Sequence, residues 1–211
     1  MSQNYRKPIT KHGTKTFLKI INTAKKLFAE KGYNSTSINK IIEESKIATG
    51  TFYIYFDDKL SLYKYILEDY KEKIREHIKK ATINCKTRYE LEREGIKAFI
   101  EFAYVDHLSY NIIWESLFID KTIFQEYYTN FASRYVVGLN AAKENGELQE
   151  IDLETLSYIL MGISNFVGLQ VIFKKHNNEK LTSKDIDFYV DQIMLLLKRG
   201  VFTNKHYEES N

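Results

Sequence analysis

Proline is almost absent from this chain of 211 residues: Pro8 stands alone, and only nine glycines accompany it. Sheet-rich folds need many tight turns, which draw on both residues, so their scarcity favours an all-helical fold. The single cysteine, Cys85, excludes an intramolecular disulfide and points to a reducing compartment, the cytoplasm. No apolar segment opens the chain; residues 1–16 are polar and basic, which speaks against an export signal. The longest apolar-looking stretch, Leu160 to Phe173, is interrupted by Ser164, Asn165 and Gln170. It falls short of the roughly 20 residues a membrane span needs, so no membrane partner is expected.

Catalytic spacing is missing too. The five histidines (His12, His77, His107, His176 and His206) are scattered, with no HExxH or other metal-ligand spacing. Cys85 has no neighbouring histidine, and neither a P-loop nor a GxGxxG occurs. The expectation is a non-enzyme without metal or cofactor.

Charge is unevenly placed. Residues 1–59 hold eleven Lys or Arg against five Asp or Glu, and the remainder holds twenty against twenty-three. Such an asymmetry points to a polyanionic partner for the N-terminal part, although a solvated charged face would read the same way.

Helical periodicity begins at Thr14, with Phe17, Ile20, Ile21, Ala24, Leu27 and Phe28 on one face and Gly32 as the stop. Thr36 can cap a second helix whose Ile38, Ile41 and Ile42 face inward. A break at residues 46–48 leads into a third, Thr49 to Phe56. Two short helices joined so tightly read as a helix-turn-helix. Asp57 or Asp58 then caps a long helix running to about Thr82, and further helices are predicted over 88–105, 109–118, 121–144, 152–175 and 183–203. This gives an all-α chain: a flexible basic arm (1–13), a helix-turn-helix domain (14–60), a helical effector-binding and dimerisation domain (61–205) and a tail (206–211).

A helix-turn-helix places its second helix in the major groove of double-stranded DNA, with side chains near its N-terminus reaching base edges. Gly50 leaves the backbone bare there, Thr49 and Thr51 offer hydroxyls to phosphate, and Tyr53, Tyr55 and Lys59 add reach and charge. Phe52 and Phe56 anchor the helix inward. The lesser alternatives are that Tyr53 and Tyr55 are ordinary aromatics and Lys59 is solvated, while Ile54 reads equally as packing or as a thymine-methyl contact.

The blocks Ala29-Glu30-Lys31-Gly32-Tyr33, Thr36-Ser37-Ile38, Gly50-Thr51-Phe52-Tyr53-Ile54-Tyr55-Phe56 and Lys59-Leu60-Ser61-Leu62 resemble the signature of the TetR/AcrR family of transcriptional repressors. The similarity covers about residues 14–65. It implies nine or so helices, a homodimer, a palindromic operator and an effector pocket in the C-terminal domain. Carried over by position, Ser37, Thr51, Tyr53 and Lys59 become phosphate contacts, and Thr49, Gly50 and Ile54 fall where family members touch bases. Asn39 stands where a base-reading polar residue sometimes occurs. The chain departs from the family at Ile42, usually Ala, and at Lys46, usually Gly. A left-handed backbone at Lys46 would carry strain.

Sixteen Tyr and thirteen Phe are many for this length. Those between Phe99 and Tyr135 are read mostly as core, with Phe102, Trp114, Glu115, Phe118 and Tyr128 as candidate lining of a pocket for a small, largely apolar or aromatic effector. Glu115, if buried there, would favour a cationic one. Helix 152–175 is apolar nearly all round in its second half, which implies a second partner surface; Ser164 and Gly168 would let another helix approach. With helix 183–203 it would form an intersubunit four-helix bundle.

Overall fold

A computed structural model describes residues 5–177 and 179–199. Among these the regular elements are α1 Lys11–Lys31, α2 Ile38–Ser45, α3 Thr49–Tyr55, α4 Lys59–Thr82, α5 Arg88–Val105, α6 His107–Ile119, α7 Lys121–Glu144, α8 Leu153–His176 and α9 Ser183–Arg199. The all-helical reading holds. The predicted end of the last helix beyond Arg199 and the tail at 206–211 lie outside the described residues.

Contacts gather the helices into two compact units, Met1–Glu76 with Asp106–Phe131, and His77–Val105 with Ala132–Asn211. The sequence-based division at residue 60 tracks the motif. Packing adds later residues to the first unit because α6 lies against α1.

In the first unit α1 starts earlier than its apolar rhythm suggests, because the Thr10 hydroxyl accepts the Gly13 N–H at 3.0 Å and caps the helix. Phe17, Ile20, Ile21, Ala24, Leu27 and Phe28 are all buried. Phe17 stacks on Phe56 at 5.2 Å and meets Tyr55 edge-on. The helix ends at Gly32, whose φ of 80° suits glycine.

One cap differs from expectation, and at another one of two candidates is chosen. Ser37, not Thr36, caps α2, its Oγ accepting the Lys40 N–H at 3.1 Å. Thr36 is buried and donates instead to the Gly32 and Leu27 carbonyls, closing the turn onto α1. Asp58 rather than Asp57 starts α4: its carboxylate accepts the Ser61 N–H while the Ser61 Oγ accepts the Asp58 N–H, a reciprocal capping box.

Lys46 ends α2 in the left-handed region, φ 50° and ψ 51°. Its N–H reaches Glu43 and that of Ile47 reaches back to Ile42, so the turn keeps its hydrogen bonds and the lysine absorbs the strain. Lys46→Gly is therefore expected to stabilise the fold by about 1 kcal/mol, a rise of roughly 2–4 °C in Tm read by thermal denaturation. An unchanged or lower Tm would show that the side chain compensates for its backbone.

In the second unit α8 packs against α5, and α9 against α5 and α8. Ile96, Ile100, Val171, Ile186, Val190, Ile193 and Met194 form the buried core. Ser164 and Gly168 of α8 serve this packing. A Cβ on Gly168 would lie 3.4 Å from the Phe99 ring, and Ser164 is buried with its hydroxyl on the Leu160 carbonyl. The expectation that they receive another subunit's helix is thus corrected: the close approach they permit is to α5. With its flanks the apolar stretch becomes a 24-residue helix, long and apolar enough by length and composition to cross a membrane. One face of it is nevertheless buried in the core of the unit.

Candidate nucleic-acid interface

The helix-turn-helix sorts its residues by the geometry of a seven-residue helix. Positions 52, 55 and 56 share one side of α3 and its cap, and Phe52, Tyr55 and Phe56 are buried there. Thr49, Gly50, Tyr53 and Ile54 are exposed on the other side, Ile54 at 58%. A Cβ on Gly50 would meet nothing within 4 Å, so this end of the helix faces open space. Thr51 is half-buried. Asn39 and Ser37 are exposed on α2 and its cap. The Ser37 Oγ accepts the cap bond, which leaves its proton to donate elsewhere.

Two assignments shift. Tyr55 does not face outward: its ring packs on Phe17 and its hydroxyl donates to the Gly13 carbonyl at 3.3 Å. It is removed from the candidate contacts, since helical spacing sets it beside Phe52 and Phe56. Lys59 is neither freely solvated nor simply extended. Its amine donates to the Tyr33 carbonyl at 2.7 Å and the Thr36 carbonyl at 2.8 Å, and sits 4.1 Å above the Tyr33 ring. Burial lowers its pKa, with the Glu115 carboxylate pulling the other way. An ammonium has three protons, so one remains for a phosphate.

The arm is not loose along its length. The Arg6 N–H donates to the Tyr55 carbonyl at 2.8 Å, Tyr5 bridges to Phe56, and the Arg6 guanidinium pairs with Asp57 at 2.8 Å. Tyr5 also meets Tyr65 edge-on at 4.8 Å. Tyr5 and Arg6 thus dock on the α3–α4 junction, and the next residue, Lys7, is exposed. The basic arm carried no sequence signal of this docking, which joins backbone bonds to the Arg6 and Tyr5 side chains.

The five candidate pocket residues are divided between the two units. Phe102 belongs to the second unit, beside the His77 ring at 5.6 Å. In the first unit Trp114 and Tyr128 are joined through Phe124, at 6.3 and 4.8 Å, with Tyr110 on the far side of the indole. Burial pushes the Tyr128 hydroxyl well up, with Tyr110 adding to it. Phe118 is 83% exposed and lines nothing there. Glu115 is used elsewhere: its Oε1 accepts the Tyr33 N–H at 2.5 Å, at the end of α1. The cationic-ligand expectation attached to it lapses. A groove of about 140 Å³ does lie between α4 and α7, but Lys64, Glu68, Lys71, Glu126 and Tyr127 are among its lining and none of the five is.

A short helix presented on a second, with a polar and open outer face and an aromatic inner one, defines a helix-turn-helix DNA-binding protein. Residues 20–66 match the model of the bacterial regulatory proteins of the tetR family. The HTH-type transcriptional regulator YuxN of Bacillus subtilis is 41% identical over 91 residues, 43% of this chain and 30% of that protein. The chain spans less than half the length of the curated relatives it matches first. The whole fold is similar to that of a TetR-family transcriptional regulator from Syntrophomonas wolfei, with a TM-score of 0.76 and 23% identity over 90% of this chain and 97% of the other. It is also similar to FadR of Bacillus subtilis, solved in complex with stearoyl-CoA, with a TM-score of 0.68 and 22% identity over 88% of this chain and 100% of the other. Residues 20–66 are thus similar to the DNA-binding region of tetR-family regulators, and the chain shares the fold of TetR-family transcriptional regulators.

Proposed function

We propose that the protein is a cytoplasmic repressor that binds a palindromic operator as a homodimer and is released by a small, largely apolar or aromatic effector. The observation that carries this reading is the outward face of α3, where Thr49, Gly50, Tyr53 and Ile54 stand clear of the fold. Thr49, Gly50 and Ile54 would read base edges with Asn39, while Ser37, Thr51, Tyr53 and the third proton of Lys59 would hold phosphates. Two α3 helices about 34–36 Å apart would enter successive major grooves of one duplex.

The dimer would form through α8 and α9, which carry exposed apolar side chains opposite their buried stripes. The effector reading is supported by the aromatic cluster of Tyr110, Trp114, Phe124 and Tyr128, and by the stearoyl-CoA bound to FadR, whose fold this chain shares. An effector would shift the population toward a state whose two α3 helices are wrongly spaced, by no more than its differential affinity for the two states.

Fluorescence anisotropy with a duplex selected by the wild-type protein from a random-sequence pool tests the interface. Tyr53→Ala should weaken binding about equally across sequences, and Lys59→Ala should make the salt dependence shallower by about one phosphate contact. Wild-type affinity in both variants would remove the assigned roles.

A further inference from the structure

We propose that Glu115 is a positioning residue for DNA binding: from α6 its carboxylate, acting with Lys59 on the Tyr33 peptide, sets how the α2–α3 pair is held. The proposal rests on the reading of α3 as the DNA-facing helix.

Between α1 and α2 the chain passes through residues 32–37 without regular structure, and this short connection is what α2 and α3 hang from. Tyr33, the second residue of this connection, is gripped from two sides. Its N–H donates to the Glu115 carboxylate at 2.5 Å, and its carbonyl accepts from the Lys59 amine at 2.7 Å. The same amine takes the Thr36 carbonyl at 2.8 Å. Three elements therefore meet at one dipeptide: α6 through Glu115, α4 through Lys59, and the turn itself.

Close packing fixes the geometry. A Cβ on Gly32 would lie 3.1 Å from Glu115 Oε1 and would crowd the carboxylate. The Tyr33 ring packs edge-on against Tyr63 at 5.1 Å, and the Tyr63 hydroxyl donates to the Ile112 carbonyl of α6 at 2.5 Å. Ile112 precedes Glu115 by three residues, so both bonds come from neighbouring turns of α6. At the other end of α6, Asp106 pairs with Lys25 of α1 at 2.8 Å, with only 14% of the lysine side chain and 23% of the aspartate exposed. The helix is thus tied to α1 before its start and near its end.

Glu115 is the only acidic residue of α6. Hydrogen bonds to a charged group are stronger than neutral ones, and partial burial strengthens them further. Losing this bond frees the turn to rotate α2–α3 away from the angle that suits the groove, with no DNA contact removed.

Electrostatics alone predicts the opposite sign. Removing a negative charge from a DNA-binding protein raises its affinity for a polyanion. The positioning role predicts a loss. With the selected duplex in the anisotropy measurement, Glu115→Ala is expected to bind about tenfold more weakly. Glu115→Gln, which keeps an acceptor oxygen, should recover part of that affinity. The salt slope should equal the wild type in both, because no phosphate contact is lost. Circular dichroism on the same samples reports the fold, and Glu115→Gln carries the test if the alanine variant unfolds.

Affinity at or above wild type in the folded Glu115 variants would overturn the proposal, as would a changed salt slope. Tyr53→Ala, measured alongside, separates the two ideas. If it weakens binding while the Glu115 variants do not, only the positioning role fails. If it too is silent, the reading of α3 fails with it.

Discussion

Phe166→Asp is expected to convert the protein to a monomer and to weaken operator binding by about a hundredfold to ten-thousandfold. α8 has two apolar faces. Ser157, Leu160, Ser164, Gly168, Val171 and Ile172 are buried toward the core, whereas Ile159, Phe166 and Phe173, spaced by seven, are exposed, Phe166 at 65%. On α9 Phe188 and Leu195, again seven apart, are exposed while Ile186, Val190, Ile193 and Met194 are buried. Exposed apolar stripes on two neighbouring helices mark a surface for association. In a two-fold dimer the same patch meets itself, so one substitution buries two carboxylates. Their desolvation should exceed what the interface can offset.

The affinity loss follows from geometry. Two joined reading heads bind the second half-site at a high effective concentration, which a monomer forfeits. Phe166 is exposed within the subunit, so helical content should not change. Sedimentation equilibrium and anisotropy on the same samples check both halves. A dimer that persists with undiminished affinity would exclude this face as the interface.

Glu92→Ala should destabilise the second unit by about 3–5 kcal/mol, read as a lower urea midpoint. Glu92 on α5 is buried, its side chain 9% exposed beside the 12% of Arg88. Arg88 Nε donates to its Oε1 at 2.7 Å, its guanidinium also pairs with that oxygen, and the Tyr135 hydroxyl of α7 donates to the other. The Arg88 guanidinium lies over the Tyr135 ring at 5.3 Å. Burial, then the Glu92 charge, push the Tyr135 hydroxyl well above its ordinary pKa, so it stays a donor at any working pH. Removing the carboxylate leaves a half-buried cation and a buried hydroxyl without their acceptor. Exchanging both charges, Glu92→Leu with Arg88→Met, should recover much of the loss, because a buried pair contributes little over apolar packing. If the single variant unfolds like the wild type, water reaches the site and the network adds nothing.

Much of the local architecture was legible in the residues. α5 and α7 begin and end as predicted because caps stand next to their apolar rhythms: Thr87 Oγ1 accepts the Glu90 N–H, and Asp120 accepts the Thr122 N–H at 2.9 Å. The outer face of α3 was legible for the same reason. Tyr55 could have been placed as well, since three and one residues separate it from Phe52 and Phe56 on a helix; its polar tip drew it to the wrong side. Glu115 and Phe118 were not legible. Both lie on one largely apolar segment, and nothing local distinguishes a carboxylate that accepts from a distant turn from one that meets a ligand.

Periodicity, caps and breakers are properties of neighbours along the chain, and they alone determined nine helices' worth of segments, the turn between α2 and α3, and which face of the reading helix is polar. Partners distant along the chain were decided only by the tertiary structure. It gave Ser164 and Gly168 to α5, the arm to the α3–α4 junction, and Glu115 to a peptide 82 residues away. A side chain's chemistry limits what it can bind, but which partner lies within 3 Å depends on how the whole chain closes on itself.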